Sequence, residues 1–219
     1  MLVTTGQAFL KRAFDLCSCS IALLFFAPII AICVLIARWD TGASGIFVQR
    51  RIGMHGKPFD VYKIRTMNTA NEEINTTITK RDDPRVTKLG ALFRRFKLDE
   101  LPQLWNVVRG DMSLVGPRPD VPGYADQLTG DHRRLLSIRP GITGPATIKY
   151  RDEESLLAAA ADTVVFNDQV LYPDKIRLNL DYLDNWGLKK DLWYIAITAG
   201  FCKPPEHLNV DASEPRSMP

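Results

Sequence analysis

Two adjacent carboxylates, Asp99 and Glu100, are the side chains of this sequence best placed to carry out chemistry. They come just before Pro102, which is favoured in the first turn of a helix, and a helix dipole stabilises a nearby carboxylate as its anion. One interpretation is therefore structural, with Asp99 as a helix cap. In the other, an ionised Asp99 attacks phosphorus to form an acyl phosphate, or binds Mg²⁺. Glu100 would then assist with proton transfer or with the metal.

Basic residues surround the acidic pair and could neutralise a phosphate group, as phosphoryl transfer requires. Lys63 and Arg65 alternate along an expected strand, so both side chains project from one face. They would form either a phosphate clamp or a solvated strand face. Arg118 lies between two prolines, which restrict the backbone and suit a cation that must be held in place. The candidate phosphate-binding residues are Lys63, Arg65, Arg94 and Arg118.

The composition is that of an ordinary globular protein, with 46% apolar and 24% charged residues among 219. This length is enough for one domain with a substantial core. The net charge is only +3, so overall charge says little about partners, and no nucleic acid is expected. The four cysteines lack paired metal-ligand spacing, and we interpret them as small, buried apolar residues.

An apolar segment covers residues 16–37, and its length of about 22 residues is enough to cross a bilayer as a helix. Lys11 and Arg12 precede it, Arg38 ends it, and Pro28 near its middle is expected to kink the helix. Cations at both ends mildly favour a bent, re-entrant helix with all of them at one headgroup surface. A straight span and a buried helix of a soluble protein remain as alternatives.

The remaining elements predict an α/β fold that is mostly helical with a small β-hairpin. Strands are expected over residues 46–48 and 59–64, around a turn. Residues 68–83 are polar and are expected to form a loop or a short exposed helix. Later helices are expected over residues 173–186 and 189–199.

Two further helices are predicted beside the acidic pair, one of which could lie on a membrane surface with its basic residues at the headgroups. Their apolar stripes are Leu89, Leu92, Phe93 and Phe96 in the first and Leu101, Leu104, Trp105 and Val108 in the second. Gly110 is expected to end the second helix. The expected organisation is a membrane anchor at 1–40, a catalytic domain at 41–202 and a mobile tail at 203–219.

Five motifs, taken in order, resemble those of the bacterial sugar transferases called monotopic phosphoglycosyl transferases. The motifs are Phe47-Val48-Gln49-Arg50-Arg51-Ile52-Gly53, Tyr62-Lys63-Ile64-Arg65-Thr66-Met67, Leu98-Asp99-Glu100-Leu101-Pro102-Gln103-Leu104, Gly110-Asp111-Met112-Ser113-Leu114-Val115-Gly116-Pro117-Arg118-Pro119 and Arg139-Pro140-Gly141-Ile142-Thr143-Gly144. The resemblance extends over nearly the whole chain, from Lys11 to Trp193. With few residues before Lys11, the chain resembles the minimal catalytic form of the family.

The resemblance implies an enzyme that moves a sugar 1-phosphate from a UDP-sugar to polyprenyl (undecaprenyl) phosphate. It implies that Asp99 attacks the β-phosphate and holds the phosphosugar, that Glu100 is the proton acceptor, and that Mg²⁺ lies near Asp99. Arg94 and Arg118 match family arginines that bind phosphate, and Lys63 matches a lysine of the same basic site.

The resemblance also implies a re-entrant N-terminal helix at the cytoplasmic face of the bacterial inner membrane. The family usually breaks this helix at Ser-Pro, where this chain has Ala27 and Pro28. The expected partners are a UDP-sugar, polyprenyl phosphate and membrane lipid. The oligomeric state stays open between a monomer and a homodimer.

Two other functions remain as alternatives to the transferase. One is a membrane-bound phosphohydrolase that uses Asp99 with water as the acceptor. The other is a non-catalytic protein whose basic face binds anionic lipid, although this function leaves the acidic pair and the Arg118 loop without a purpose. The identity of the sugar and of the downstream glycan is not visible in the sequence.

Overall fold

A computed structural model describes residues 5–68 and 83–209 of the chain. The described part is mostly helical with small sheets, which confirms the predicted fold class. The helices are α1 Thr5–Thr41, α2 Lys88–Arg95, α3 Gln103–Arg109, α4 Pro145–Lys149, α5 Glu153–Ala159, α6 Thr163–Phe166, α7 Tyr172–Asp184 and α8 Leu188–Thr198. The strands are β1 Ile46–Ile52, β2 Pro58–Ile64, β3 Ser113–Val115 and β4 Gly141–Thr143. Most of the polar stretch expected to form a loop at 68–83 lies outside the described residues.

The predicted hairpin is confirmed, and its first strand is longer than expected. β1 pairs with β2 in antiparallel register, with Ile46 opposite Ile64 and Phe47 opposite Lys63. A short helical turn joins the strands, and His55 and Gly56 adopt positive φ angles of 61° and 73° to reverse the chain. A second, parallel pair joins β3 to β4.

The apolar segment belongs to one helix, α1, which continues through Pro28 and is long and apolar enough to cross a membrane. Its two flanks pack on the domain: Cys19 joins the core beside α3, and Cys33 joins the core beside α2. Between them, residues 24–29 are all exposed, and Leu24 reaches 76% exposure. The apolar middle of α1 therefore projects from a domain that holds both flanks.

Buried polar contacts anchor the N-terminal flank of α1. Lys11 Nζ lies 2.6 Å from Asp191 Oδ2 at the start of α8, and Arg12 donates to the carbonyls of Val107 and Val108 in the last turn of α3. In the re-entrant topology that the sequence mildly favours, both cations would lie at a headgroup surface. The structure contradicts this for Lys11, whose side chain is only 12% exposed. A buried carboxylate and the unsatisfied carbonyls of a helix end bind these cations instead.

The largest core cluster lies where α4, α7 and α8 meet β3. Tyr182 of α7 and Tyr194 of α8 pack there edge to face, with ring centroids 5.9 Å apart. Leu208 is also buried in this core. The chain from 203 to 208 is therefore part of the domain rather than of the tail predicted to start at Lys203, and residues 210–219 lie outside the described part. Helices α7 and α8 agree with the predicted helices to within a few residues.

The helices beside the acidic pair differ from their predicted stripes. α3 buries Leu104 and Val107, but its Trp105 is exposed. In α2, Phe93 is buried whereas Leu92 remains exposed. A full stripe is not buried because each helix has only seven or eight residues and contacts the domain along a narrow face. Gly110 ends α3 in the left-handed conformation, as predicted.

Candidate active site

One open cavity of about 1670 Å³ collects every candidate residue. Its lining includes Lys63, Arg65, Arg94, Asp99, Glu100 and Arg118. These residues come from the end of β2 and the residue after it, α2, the turn before α3 and the loop after β3, so only the tertiary fold brings them together.

The acidic pair lies in a tight turn between α2 and α3, not on the helix itself. Lys97 adopts a left-handed conformation with φ of 56° and redirects the chain into one helical turn over Leu98–Glu100. Pro102 is the residue that precedes α3, and no side chain caps that helix. The cap interpretation of Asp99 is therefore wrong. Non-glycine residues in the left-handed region, such as Lys97, are enriched at functional sites.

Glu100 is held between two cations. Arg118 Nη2 donates to its Oε1 at 2.7 Å, and Lys63 Nζ lies 3.9 Å from the same oxygen. Burial acts to raise the pKa of Glu100, but the charges of Arg118 and Lys63 outweigh it and lower the pKa to about 2. Glu100 is thus an anion that organises the cations of the site.

Asp99 differs sharply from its neighbour. Its Oδ1 is buried and has no hydrogen-bond partner among the described residues. Burial, followed by the charge of Glu100, raises the pKa of Asp99 above its ordinary value, although Lys63, Lys97 and Arg94 act in the opposite direction. Leaving a buried carboxylate oxygen unpaired is costly, so Asp99 is available to a ligand.

Lys63 is the cation most affected by the site. Burial, followed by the charge of Arg118, lowers its pKa to about 8, even though Glu100 and Asp99 favour the charged form. The backbone beside it is fixed by Asn106, a fully buried residue of α3. The Asn106 side chain donates to the carbonyl of Asp60 and accepts from the amide of Tyr62. Sequence reasoning missed Asn106, whose only signal was a polar residue within an apolar helix.

Arg94 and Arg65 also line the cavity, with partners of their own. Arg94 donates to Thr66 Oγ1 and to Glu154 Oε1, both at 3.0 Å. Arg65 donates to the carbonyl of Ser44 at 2.7 Å and lies over the ring of Phe47. A phosphate clamp was one of two alternatives for Lys63 and Arg65, and in the structure the two side chains have separate partners. Lys63 lies 3.9 Å from Glu100, whereas Arg65 turns toward the start of the hairpin.

Close backbone contact fixes the loop that carries Arg118. A Cβ added to Gly141 would lie only 2.1 Å from the amide nitrogen of Gly116, and one added to Gly144 would lie 2.4 Å from its carbonyl oxygen. Glycine is therefore required for this approach. Arg51 supports the same loop by donating to the carbonyl of Pro119. These residues belong to the motifs that carried the resemblance, but spacing alone did not predict their contacts.

Helix α7 forms the other side of the cavity. Lys175 Nζ lies 2.6 Å from Glu153 Oε1, and the hydroxyl of Tyr172 donates to Asp120 Oδ2 at 3.4 Å. Burial raises the pKa of Asp120 to about 6, against the charges of Lys175 and Arg51. We call the side formed by Tyr172, Lys175, Asn179, Asp120 and Glu153 the α7 wall. We call the side formed by Lys63, Arg94, Asp99, Glu100 and Arg118 the charged wall.

Over residues 5–68 and 83–209, no group of three or more His, Cys, Asp or Glu side chains lies close enough to hold a metal ion. Asp99 itself has the donor that a metal would use, because its Oδ1 is unpartnered. Mg²⁺ is commonly held in proteins by one or two carboxylates together with substrate phosphates. Asp99 fits such a site in combination with a bound phosphate.

Comparison with known proteins agrees with the geometry. Residues 6–202 match the family profile described as Bacterial sugar transferase. Over 189 residues the chain is 37% identical to "Uncharacterized sugar transferase EpsL" of Bacillus subtilis, which covers 86% of this chain and 85% of that protein.

Two further relatives carry names that state a reaction. The "UDP-glucose:undecaprenyl-phosphate glucose-1-phosphate transferase" of Caulobacter vibrioides is 34% identical over 83% of this chain and 65% of its own length. A protein of the same name from Escherichia coli is 34% identical over 86% of this chain and 39% of its own length. The resemblance found in the motifs is confirmed, and the chain belongs to the bacterial sugar transferase family.

Proposed function

We propose that this protein transfers a sugar 1-phosphate from a UDP-sugar to polyprenyl phosphate, giving UMP and a polyprenyl-diphospho-sugar. The observation that carries the proposal is the buried, unpartnered oxygen of Asp99 in a cavity lined by cations. The names of the Caulobacter and E. coli relatives support these substrate classes.

The proposed chemistry has two displacement steps at one phosphorus atom. In the first, an Asp99 oxygen bonds to the β-phosphorus of the UDP-sugar, and the bond to the bridging oxygen breaks so that UMP leaves. In the second, a phosphate oxygen of the lipid attacks the phosphosugar, and Asp99 leaves as a carboxylate. The cations of Lys63, Arg94 and Arg118 neutralise the phosphate oxygens. Arg118 is 40% exposed, so its side chain can face a ligand while it binds Glu100.

The role proposed for Glu100 changes from that expected at first. A general base is most effective when its pKa lies near the working pH, whereas Arg118 and Lys63 lower the pKa of Glu100 to about 2 despite its burial. A phosphate monoester has a second pKa of about 6, so it is largely a dianion at neutral pH and needs little help to lose a proton. We propose that Glu100 positions Arg118 and Lys63 rather than accepting a proton.

Mg²⁺ is proposed as the cofactor, held by Asp99 and by phosphate oxygens of the substrate. The unpartnered Asp99 Oδ1 supports this assignment. When bound there, the ion would neutralise negative charge that develops during phosphoryl transfer.

We also propose that α1 is re-entrant and holds the domain at the cytoplasmic face of the inner membrane. Its exposed apolar middle would enter the lipid, and both flanks contact the same domain, as a helix that enters and leaves on one side requires. Exposed Trp105 and Phe96 would lie at the interface. The active site could then reach both a soluble UDP-sugar and a lipid phosphate.

Cysteine labelling of intact and opened membranes tests this topology. Thr5→Cys and Asp40→Cys, made separately in a chain with Cys17→Ser and Cys202→Ser, should react only when the cytoplasmic side is accessible. Reaction of Thr5→Cys from the periplasmic side alone would show that the helix spans the bilayer.

UMP release with and without undecaprenyl phosphate tests the reaction itself. With a panel of UDP-sugars, the transferase should release UMP repeatedly only when the lipid is present, and ping-pong kinetics should give parallel double-reciprocal plots. Without lipid, a burst of no more than one UMP per enzyme is expected. Sustained release without lipid would favour the phosphohydrolase, and no release with any UDP-sugar would favour the lipid-binding protein.

A further inference from the structure

One face of α7 presents polar side chains to the cavity. Tyr172, Lys175 and Asn179 recur at the spacing of helical turns and all line the cavity. An internal helix ordinarily buries apolar residues on the side away from solvent. Polar side chains on a cavity wall therefore need hydrogen-bond partners, which are supplied either by a polar ligand or by other residues of the protein.

Two side chains on this side of the cavity lack such partners. Asn179 is only 7% exposed, yet its Oδ1 is buried without a hydrogen bond among the described residues. Thr147 of α4, a helix that packs on α7, has an equally buried and unpartnered Oγ1. Native proteins seldom leave such groups unsatisfied. An amide oxygen and a hydroxyl group that both lack partners among the described residues, beside one cavity, indicate a ligand with hydroxyl or amide groups.

The carboxylates on this wall fit the same kind of ligand. Among the described residues, the Asp120 side chain accepts one hydrogen bond, from Tyr172, and the Glu153 side chain accepts one, from Lys175. A carboxylate has about four acceptor positions, so each can accept further hydrogen bonds. Negative carboxylates disfavour a phosphate but bind neutral hydroxyl groups well. The wall is thus suited to hydroxyl groups rather than to a second phosphate.

This wall begins next to the proposed phosphate site. Arg118 binds Glu100 on the charged wall, and its pKa is raised first by Glu100 and, more weakly, by Glu153. Arg51 donates to the carbonyl of Pro119, the residue between Arg118 and Asp120. Arg94 of the charged wall donates to Glu154, the neighbour of Glu153. A sugar attached to the reacting phosphorus would therefore lie within reach of Glu153 and Asp120.

We propose that Asp120, Glu153 and Asn179 bind hydroxyl groups of the transferred sugar and determine which UDP-sugar the enzyme accepts. This inference rests on the proposed function, because it assigns the sugar subsite of the same cavity. Tyr172 and Lys175 are positioning residues, since each binds one of the two carboxylates. The uridine half of the donor is the competing occupant of this wall.

Selectivity ratios test the proposal. The values of kcat/KM for UMP release are measured with UDP-glucose and with three donors that each differ from it at a single position of the sugar. These donors are UDP-galactose, UDP-N-acetylglucosamine and UDP-xylose. Asp120→Asn, Glu153→Gln and Asn179→Ala should each lower kcat/KM for the preferred donor by about 10- to 100-fold, as expected when a hydrogen bond to a charged or a buried polar group is lost. For donors that are altered at the sugar position contacted by the mutated residue, kcat/KM should fall much less. The ratio of kcat/KM for the preferred donor to kcat/KM for the altered donor should therefore fall.

Inhibition by UMP separates the sugar from the uridine. UMP lacks the sugar, so its inhibition constant should change by less than about twofold in the three variants. Equal losses with every donor, together with weaker inhibition by UMP, would assign the wall to uridine and overturn the proposal. Unchanged selectivity in all three folded variants would also overturn it.

Asp181→Asn is the matched control. Asp181 lies on the same helix, is exposed, is absent from the cavity lining and binds Asn185. This variant should keep the wild-type ratios. If Asn179→Ala fails to give a cooperative melting transition, Asn179→Ser provides a smaller polar substitute. A wild-type protein that releases UMP from no donor would contradict the proposed function instead, whereas transfer with unchanged selectivity would contradict only the sugar subsite.

Discussion

The charged wall and the α7 wall face one cavity but satisfy their polar groups in different ways. On the charged wall, Glu100 is surrounded by Arg118 and Lys63, and the three pKa values are displaced from their ordinary ranges by burial and by one another. On the α7 wall, Lys175 is paired with Glu153, while the buried oxygen of Asn179 has no partner in the described parts of the chain. The first wall is organised around charge, and the second leaves hydrogen-bonding capacity free.

This difference indicates how one cavity could handle the two halves of a sugar phosphate. A phosphate needs fixed positive charge. On the charged wall, the positive charges outnumber the negative charge of Glu100. A sugar needs hydrogen-bond donors and acceptors for its hydroxyl groups rather than a concentration of positive charge. The α7 wall has such donors and acceptors. Asp99 belongs to the charged wall, yet its Oδ1 has no partner among the described residues, which leaves this carboxylate available to a ligand. Variants in the two walls should therefore have different kinetic signatures.

Asp99→Asn should have the largest effect. We expect turnover to fall at least about 10³-fold, as is typical when a nucleophile is removed, because the amide cannot form the acyl phosphate. Asp99 Oδ1 makes no hydrogen bond to the residues that the structure describes, and burial opposes the charge of Asp99, so the melting temperature should stay the same or rise. UMP release and thermal melting measure the two effects. Robust lipid-linked product from this variant would exclude the covalent mechanism.

Gly141→Ala should have the next largest effect, through the loop that holds Arg118. The added Cβ would lie 2.1 Å from Gly116 N, so the loop must move. We expect kcat/KM to fall about 10²-fold, because a displacement of a catalytic side chain by about 1 Å can cause a loss of this size. The factor should be the same for every UDP-sugar.

Gly187→Ala is the control for this substitution, since a Cβ there meets nothing within 4 Å and the backbone is extended. It should leave kcat/KM close to the wild-type value. A change in sugar selectivity caused by Gly141→Ala would mean that the two walls are not independent.

Lys63→Arg tests the electrostatics of the charged wall through pH. Burial and the charge of Arg118 lower the pKa of Lys63 to about 8, so the side chain is charged below that pH and becomes neutral above it. In the wild type, kcat/KM should therefore fall as pH rises through about 8. Arginine stays charged, so the variant should lose about threefold to tenfold at pH 7 while its alkaline decline moves to higher pH. The same decline in both proteins would assign it to another group.

Tyr172→Phe should have the smallest effect. Its hydroxyl donates to Asp120 at 3.4 Å, a long and therefore weak hydrogen bond. We expect kcat/KM to fall by less than about threefold, with a slight loss of sugar selectivity. Measurements with UDP-glucose and UDP-galactose would check this. A loss comparable to that of Asp120→Asn would show that Tyr172 contacts the substrate directly.

Local patterns in the sequence predicted a large part of the fold. The hairpin, α7, α8 and the end of α3 at Gly110 follow from alternation, helical periodicity and glycine, which act over a few residues. The same patterns were less accurate for α2 and α3. Periodicity shows which residues could be buried, but it does not show how much of each short helix the domain covers.

The sequence by itself determined which chemical groups are present: an acidic pair, the cations in four of the five motifs, and an apolar N-terminal segment. Only the tertiary structure decided how these groups differ. Asp99 and Glu100 are adjacent, but one has a free oxygen and the other binds Arg118, 18 residues away. Lys11 is paired with Asp191 across 180 residues rather than placed at a lipid surface. Burial and pairing depend on contacts between distant segments, and local spacing does not encode those contacts.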